Sequence, residues 1–449
     1  MKGARLVGNL KGDNPQRREK PMKCVTKLLI FGIVCASIGI FVVAGWAVYP
    51  PPSGIQAGAV VADEVIVKFK AGVPAANIRA AHAKFQAKIA LTIAGLGAQV
   101  VKLPAKKSRA ELNAIVTQYK QDPNVEYAEV NGIMTIQRQV SLPPEALEVL
   151  KLCIIQPGGF PSDDPHFAQL WGIMKIRGNC AWDTNIGAGN ITVAVVDTGV
   201  DYTHEDLAGT VRKGYDFVND DTDAMDDQGH GTHVAGTIAA TLNNNKGVVG
   251  VSPNVRILAV KVLDSYGSGS WSTVASGVVY AADKQARVIN LSLGGSESTQ
   301  TVKDAVNYAW KKGVLLACAA GNDGAGDPGY PAAYKNCLAV AATDQNDERA
   351  SFSQYAPDGV AAPGVSILSS LPGNNYESWS GTSMATPHVA GLAALLFSQN
   401  PNRTNRRVRE IIQGTTDDIG TAGKDPIFGY GRINASKAVH YQCAASSCP

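Results

Sequence analysis

The chain has 449 residues, room for about three domains at roughly 150 residues each, with 45% apolar and 18% charged residues and 46 Gly. That profile is a globule with tight turns, and it excludes disordered, collagenous and polytopic membrane chains. The net charge of +3 averages unlike parts: residues 1–27 carry +6, residues 28–159 carry +4 and residues 160–449 carry −7. The large C-terminal portion has no basic excess to follow a phosphate backbone, so no nucleic-acid partner is expected.

In chain order, the first feature is an uncharged run of 22 residues, Leu28 to Tyr49, preceded by Lys20, Lys23 and Lys27. This length can cross a bilayer. It reads as a signal peptide cleaved near Ala57-Gly58-Ala59, or alternatively as an anchor formed by residues 28–49. Residues 1–59 are assigned to this basic and apolar leader, the only membrane-directed part, and the remainder is expected to be secreted.

Residues 60–137 form a small unit. EVIVKFK (64–70) alternates like a strand, 75–85 has helical spacing, AQVVKL (98–103) is a strand, 108–121 is a helix opened by a Ser108/Glu111 capping box, and VEYAEVNGIM (125–134) is a strand. The order β-α-β-α-β predicts an open-faced, ferredoxin-like α/β sandwich. His82 is alone and is expected on the helix surface. Residues 138–160, with Pro143, Pro144 and Pro157-Gly158-Gly159, form a connector.

Residues 161–440 alternate strands (191–199, 256–263, 286–294, 313–321, 337–344) with helical segments such as 272–285 and 301–312. Near-continuous Val, Ile, Leu and Ala in the strands predicts a mainly parallel sheet buried on both faces, a three-layer α/β/α domain. Ligands in such sheets sit at the carboxyl ends of the strands. A tail of residues 441–449 carries Cys443 and Cys448. Outside the leader there are six Cys (153, 180, 318, 337, 443, 448). They allow fifteen pairings that the sequence does not choose among.

Three strings carry chemistry. The first strand ends in Asp197-Thr198-Gly199, a sequence that also suits an aspartic protease, although no second copy exists to share a proton. HGTHVAGTIAA (230–240) opens a helix with His230; its spacing to His233 lacks the H-E-x-x-H zinc pattern, so His233 reads as structural. GTSMATPHVAGLAALLF (381–397) places Ser383 at a helix start with Pro387 in the first turn. Each alone is equally a turn or cap residue.

Together, AVVDTG, HGTHVAGT and GTSMATPHVAG stand in the Asp, His, Ser order of subtilisin. Over residues 161–440 the chain resembles the subtilases, subtilisin-like serine proteases, in their thermitase-like branch, and residues 63–134 resemble the family's inhibitory propeptide. The resemblance implies an endopeptidase that acts through an acyl-enzyme with Asp197, His230 and Ser383, made as a self-processed zymogen and working as a monomer on peptide substrates. It puts Asn322 of AAGND (319–323) in the oxyanion site, Ser292, Leu293 and Gly294 of NLSLGG on the substrate-binding strand, and Trp271 of YGSGSW on the facing edge. Gly329, before Tyr330-Pro331, falls at the floor of the pocket for the residue preceding the scissile bond; having no side chain, it implies a roomy, uncharged pocket for large apolar residues. The alternative is that Asp323 or Asp327 turns inward and favours Lys or Arg.

Calcium is implied twice. YDFVNDDTDAMDDQG (215–229) holds six Asp, hard oxygen ligands at short spacing, of which the resemblance implicates Asp216, Asp221 and Asp223. Asp164, Asp206, Asn244 and carbonyls of the 243–247 loop form the second set. A catalytically silent binding protein on the same fold is the competing reading.

Overall fold

The computed structural model describes residues 58–136 and 160–441, all within one compact unit that spans Tyr49–Pro449. The apolar run, the 138–159 stretch of the connector with Cys153, and Cys443 and Cys448 lie outside the described residues.

Residues 58–136 fold as β1 (Val60–Phe69), a helix (Ala75–Ala83), β2 (Lys88–Thr92), β3 (Ala98–Lys102), a helix (Arg109–Lys120) and β4 (Val125–Ile136). The antiparallel order is β4-β1-β3-β2, the split β-α-β motif repeated around one sheet. The second helix starts in the expected capping box: Ser108 Oγ accepts the Glu111 N–H, and the Glu111 carboxylate accepts the Ser108 N–H at 2.7 Å. The extra strand relative to the sequence reading is β2. It is exposed along its whole length at the free edge, so it carries no alternation to detect. His82 is not on the surface. It is 3% exposed, bonded through its two ring nitrogens to the Tyr119 hydroxyl (3.0 Å) and Gln99 Oε1 (2.8 Å), and burial lowers its pKa.

The larger part is built on a seven-stranded, wholly parallel sheet ordered β13-β12-β11-β9-β5-β7-β6. Its strands are β5 (Thr192–Asp197), β6 (Val211–Asp216), β7 (Arg256–Lys261), β9 (Val288–Leu291), β11 (Leu315–Ala319), β12 (Cys337–Thr343) and β13 (Val360–Pro363). The period of two sends alternate residues to opposite layers. Val193 and Val195 pack with Val234 and Val389 of the helices His230–Ala239 and Thr382–Gln399. Ala194 and Val196 pack with Val274 and Val306 of the helices Trp271–Asp283 and Gln300–Lys311. The outcome is the expected three-layer α/β/α domain. The edge strands β6 and β13 were not expected: VRKGYD is too polar, and VAAP is short and ends in proline.

The core of residues 58–136 is continuous with the second of these layers. Its last strand goes further. Two short segments of the larger domain, β8 (Ser268–Ser270) and β10 (Leu293–Gly294), pair antiparallel with the end of β4 on either side, with Met134 opposite Gly269 and Ile136 opposite Leu293. Finally, β14 (Ile367–Leu371) and β15 (Asn375–Trp379) form a hairpin that leads into the helix Thr382–Gln399.

Candidate active site

The candidate residues gather at the carboxyl ends of the parallel strands. Asp197 ends β5, Ser292 directly follows β9, and Asn322 lies three residues past β11. His230 and Ser383 begin the two helices that cover this face. Close approach at this junction depends on glycine: a Cβ on Gly231 would overlap the Gly199 carbonyl.

Asp197, His230 and Ser383 are all fully buried. His230 Nδ1 and Asp197 Oδ1 are 2.7 Å apart, and Asp197 Oδ1 also accepts the Thr198 N–H at 2.8 Å. With Nδ1 engaged by the carboxylate, Nε2 is the ring's remaining acceptor, and it has no hydrogen-bond partner. The Ser383 hydroxyl does not point to it; it donates to the Ser292 carbonyl at 2.8 Å. Ser292 Oγ in turn donates to the Ser383 carbonyl at 2.9 Å, so the two serines latch the start of the helix Thr382–Gln399 to the approach of β10. Asn322 Oδ1 accepts from both the N–H and the hydroxyl of Thr382, each at 3.0 Å. Anchoring the oxygen end orients the amide nitrogen as the donor.

Of the residues expected on the substrate side, Leu293, Gly294 and Trp271 lie against β4. Leu293 and Gly294 are β10 itself, while Trp271 follows β8, and its indole lies so close over Gly132 of β4 that no Cβ fits there. Gly329 donates its N–H to Ala320 at 2.8 Å, and a Cβ on it would stand 3.0 Å from the Gly295 carbonyl. Asp323 and Asp327 are exposed. His233 is structural in geometry, with Nε2 3.1 Å from the Glu377 carbonyl and the ring stacked on Trp379 at 4.8 Å.

Of the calcium candidates, one set converges. Asp164 accepts the N–H groups of Asn243 and Asn244, and Asp206 accepts the Asn244 side-chain amide at 2.8 Å and the Val248 N–H. Both carboxylates are buried, at 4% and 0% exposure, without a Lys or Arg partner among the described residues. Two uncompensated carboxylates and an amide around one loop fit a hard cation. The other set is joined through its backbone, with Asp216 and Asp221 paired as a β-bridge, but its carboxylates are spent on separate partners. Asp216 is held by Val218 and Asn219, Asp221 by the Asp223 N–H, and Asp223 by the Tyr202 hydroxyl and Lys213. No cluster of three or more His, Cys, Asp or Glu that could hold a metal occurs among the described residues.

Sequence reasoning missed a support layer behind Asp197. Asp226 accepts from Thr198 Oγ1, the N–H groups of Gln228 and Gly229, and both the N–H and hydroxyl of Thr232. Lys261, opposite Asp197 on β7, is fully buried and donates to the Thr198 and Leu263 carbonyls and to Asp227 Oδ1 at 2.7 Å. The available signal was a lysine inside the otherwise apolar strand RILAVKVL. Asp226 was hidden within a run read as metal-binding.

Comparisons with known proteins show the family. The subtilase family model matches residues 188–431, and the fervidolysin N-terminal prodomain model matches residues 53–131. A thermophilic serine proteinase from Bacillus sp. (strain AK1) is 44% identical over 86% of this chain and 89% of its own. Thermitase from Thermoactinomyces vulgaris is 50% identical over 63% of this chain and its full length. Fervidolysin from Fervidobacterium pennivorans superposes with a TM-score of 0.76 at 29% identity, covering 87% of this chain and 63% of the fervidolysin chain. The chain belongs to the subtilase family: it is a thermitase-like serine endopeptidase preceded by a prodomain of the fervidolysin type.

Proposed function

We propose that this endopeptidase is secreted as a zymogen that processes itself, with Asp197, His230 and Ser383 as triad, Asn322 as oxyanion donor and calcium at the Asp164–Asp206–Asn244 loop. The observation that carries the zymogen reading is β4. An extended strand held between two edges is how a protease grips a peptide, and the prodomain's own strand fills that place, with the Ile136 N–H donating to the Gly267 carbonyl at 3.0 Å. The prodomain is thus at once folding partner and inhibitor. Export rests on the basic residues and apolar run ahead of it; an uncleaved anchor is the other form that delivery can take.

In the reaction, the Ser383 hydroxyl turns from the Ser292 carbonyl to His230 Nε2, which takes its proton as Oγ bonds to the substrate carbonyl carbon. Asp197 holds the ring through Nδ1 and stabilises the imidazolium. The oxyanion takes hydrogen bonds from the Asn322 amide and the Ser383 N–H. Collapse expels the amine, which receives the proton from Nε2, and water repeats the sequence to free the acid. Asp164, Asp206 and Asn244 would hold calcium, which would supply the positive charge that the two buried carboxylates lack. With Gly329 at the pocket floor and Asp323 and Asp327 exposed, the residue before the cleaved bond is large and apolar.

A serine-directed fluorophosphonate tests this reading. It should label the processed enzyme but not Ser383→Ala, pepstatin should have no effect, and cleavage of a peptide library should follow Phe, Tyr, Leu or Met. An unlabelled but correctly folded wild-type chain would favour the silent binding protein, and cuts dominated by Arg or Lys would refute the apolar pocket.

A further inference from the structure

A second cavity opens beside the catalytic residues, outside the groove that β4 fills. It has a volume of about 600 Å³, and its walls include Asp226, Asp227 and Gly229 from the turn before His230, and Pro372, Glu377 and Trp379 from the β14–β15 hairpin. None of its walls comes from β4, β8 or β10.

Its place along a substrate follows from register. In the groove, Ile136 stands opposite Leu293, and an antiparallel pair advances one residue on each strand. The next residue of any peptide bound this way therefore falls opposite Ser292, whose carbonyl holds the Ser383 hydroxyl. That residue supplies the acyl carbon, and everything after it belongs to the leaving half. The leaving amine must take its proton from His230 Nε2, which is buried and unpartnered. Gly229, directly before His230, is a cavity wall. Trp379, four residues before Ser383, is another, and it stacks on His230 at 6.4 Å and packs against Gly229. The departing half of a substrate is delivered to this space.

The walls carry three carboxylates and no Lys or Arg. Asp226 is consumed by its hydrogen bonds and contributes only its field. Asp227 is half-exposed and shares one oxygen with Lys261 behind it. Glu377 is exposed, and its Oε2 accepts the Trp379 indole N–H at 2.8 Å, which fixes its carboxylate beside an aromatic wall. We propose that this cavity is a specificity subsite for a Lys or Arg side chain on the leaving-group side of the scissile bond, with Glu377 and Asp227 as its anionic contacts and Trp379 supporting the aliphatic stem.

The proposal rests on the endopeptidase reading, and its test separates the two. The probes are quenched peptides built on residues 133–141, IMTIQRQVS, with Gln137 replaced by Leu to suit the apolar pocket, the cleaved bond located by mass spectrometry, and Arg, Lys, Ala or Glu placed in turn at each of the first three positions after it. At one of those positions the processed enzyme should prefer Arg or Lys over Ala by roughly three- to fivefold in kcat/KM, with Glu below Ala. High salt should compress the ratio, Glu377→Gln should bring it towards one, and Glu377→Lys should invert it towards Glu. A ratio near one at all three positions, or a basic preference unmoved by both Glu377 variants, would overturn the subsite. Absence of cleavage of every peptide would instead overturn the protease reading and the subsite with it.

Discussion

Asn322 shows how the site is made at the level of single residues: its oxygen, not its nitrogen, is the anchored end, tied to the residue that precedes the nucleophile. Replacing it removes a preorganised donor without leaving a buried charge. Asn322→Ala should therefore lower kcat by about 10²–10³ with KM nearly unchanged, read from steady-state kinetics on a neutral peptide; a comparable rise in KM would make Asn322 a binding residue instead. At this scale the proposed triad could be named from the sequence because serine chemistry demands a base and an orienting carboxylate and the strings around Asp197, His230 and Ser383 are long; of its contacts the structure holds the one between Asp197 and His230. The mutual latch of Ser292 and Ser383 was not legible. It joins residues 91 apart in sequence, and neither serine alone differs from a polar turn residue. The burial of His82 was missed for a like reason: its partners Tyr119 and Gln99 come from other elements.

Among the elements, β4 does the most to turn a fold into a zymogen. Its first half pairs with β1 inside the prodomain sheet, and its last residues pair with β8 and β10. The sequence pattern ends the strand at Met134, whereas pairing across the domain boundary extends it to Ile136. Further back, Glu129 reaches the helix Gln300–Lys311, whose own cap residue Thr299 supplies no side-chain cap. The Glu129 carboxylate accepts from the N–H groups of Gln300 and Thr301, each at 2.9 Å, and from the Thr299 hydroxyl at 2.7 Å. A carboxylate on unsatisfied N–H groups at a positive helix end is a favourable contact, and it is lost on separation. Glu129→Gln should shorten the lag before activity appears in the full-length enzyme by several-fold, followed with a fluorogenic peptide; an unchanged lag would show that this contact does not limit release. Arg109, forked onto Glu297, acts beside it across the same boundary.

For the whole molecule, the division of charge has a structural counterpart. The basic segment ahead of the acidic enzyme meets it through Lys68–Asp304 and Arg109–Glu297. Within the enzyme, the buried Asp164 and Asp206 have no Lys or Arg partner among the described residues, and calcium at the proposed site would supply the missing positive charge. A ligand that binds only the folded state adds about 2.7 kcal/mol at 100 times its Kd, so melting temperature should rise with calcium from excess chelator to millimolar levels. Asp206→Asn should blunt that rise, while Asp223→Asn should leave it intact, because Asp223 is spent on Tyr202 and Lys213. Equal melting temperatures with and without calcium would remove the proposed site. The layered architecture was readable because a doubly covered parallel sheet writes itself as apolar runs; the exposed or polar edges β2 and β6 leave no such trace.

Ser383 is proposed to cut the chain whose own strand fills its cleft. The most direct measurement is the intact mass of Ser383→Ala and of the wild type, each made in an isolated system free of other proteases. Wild type should lose the prodomain at a single bond past Ile136, and Ser383→Ala should remain one uncut chain with its prodomain in place. Normal processing of Ser383→Ala under those conditions would contradict the claim.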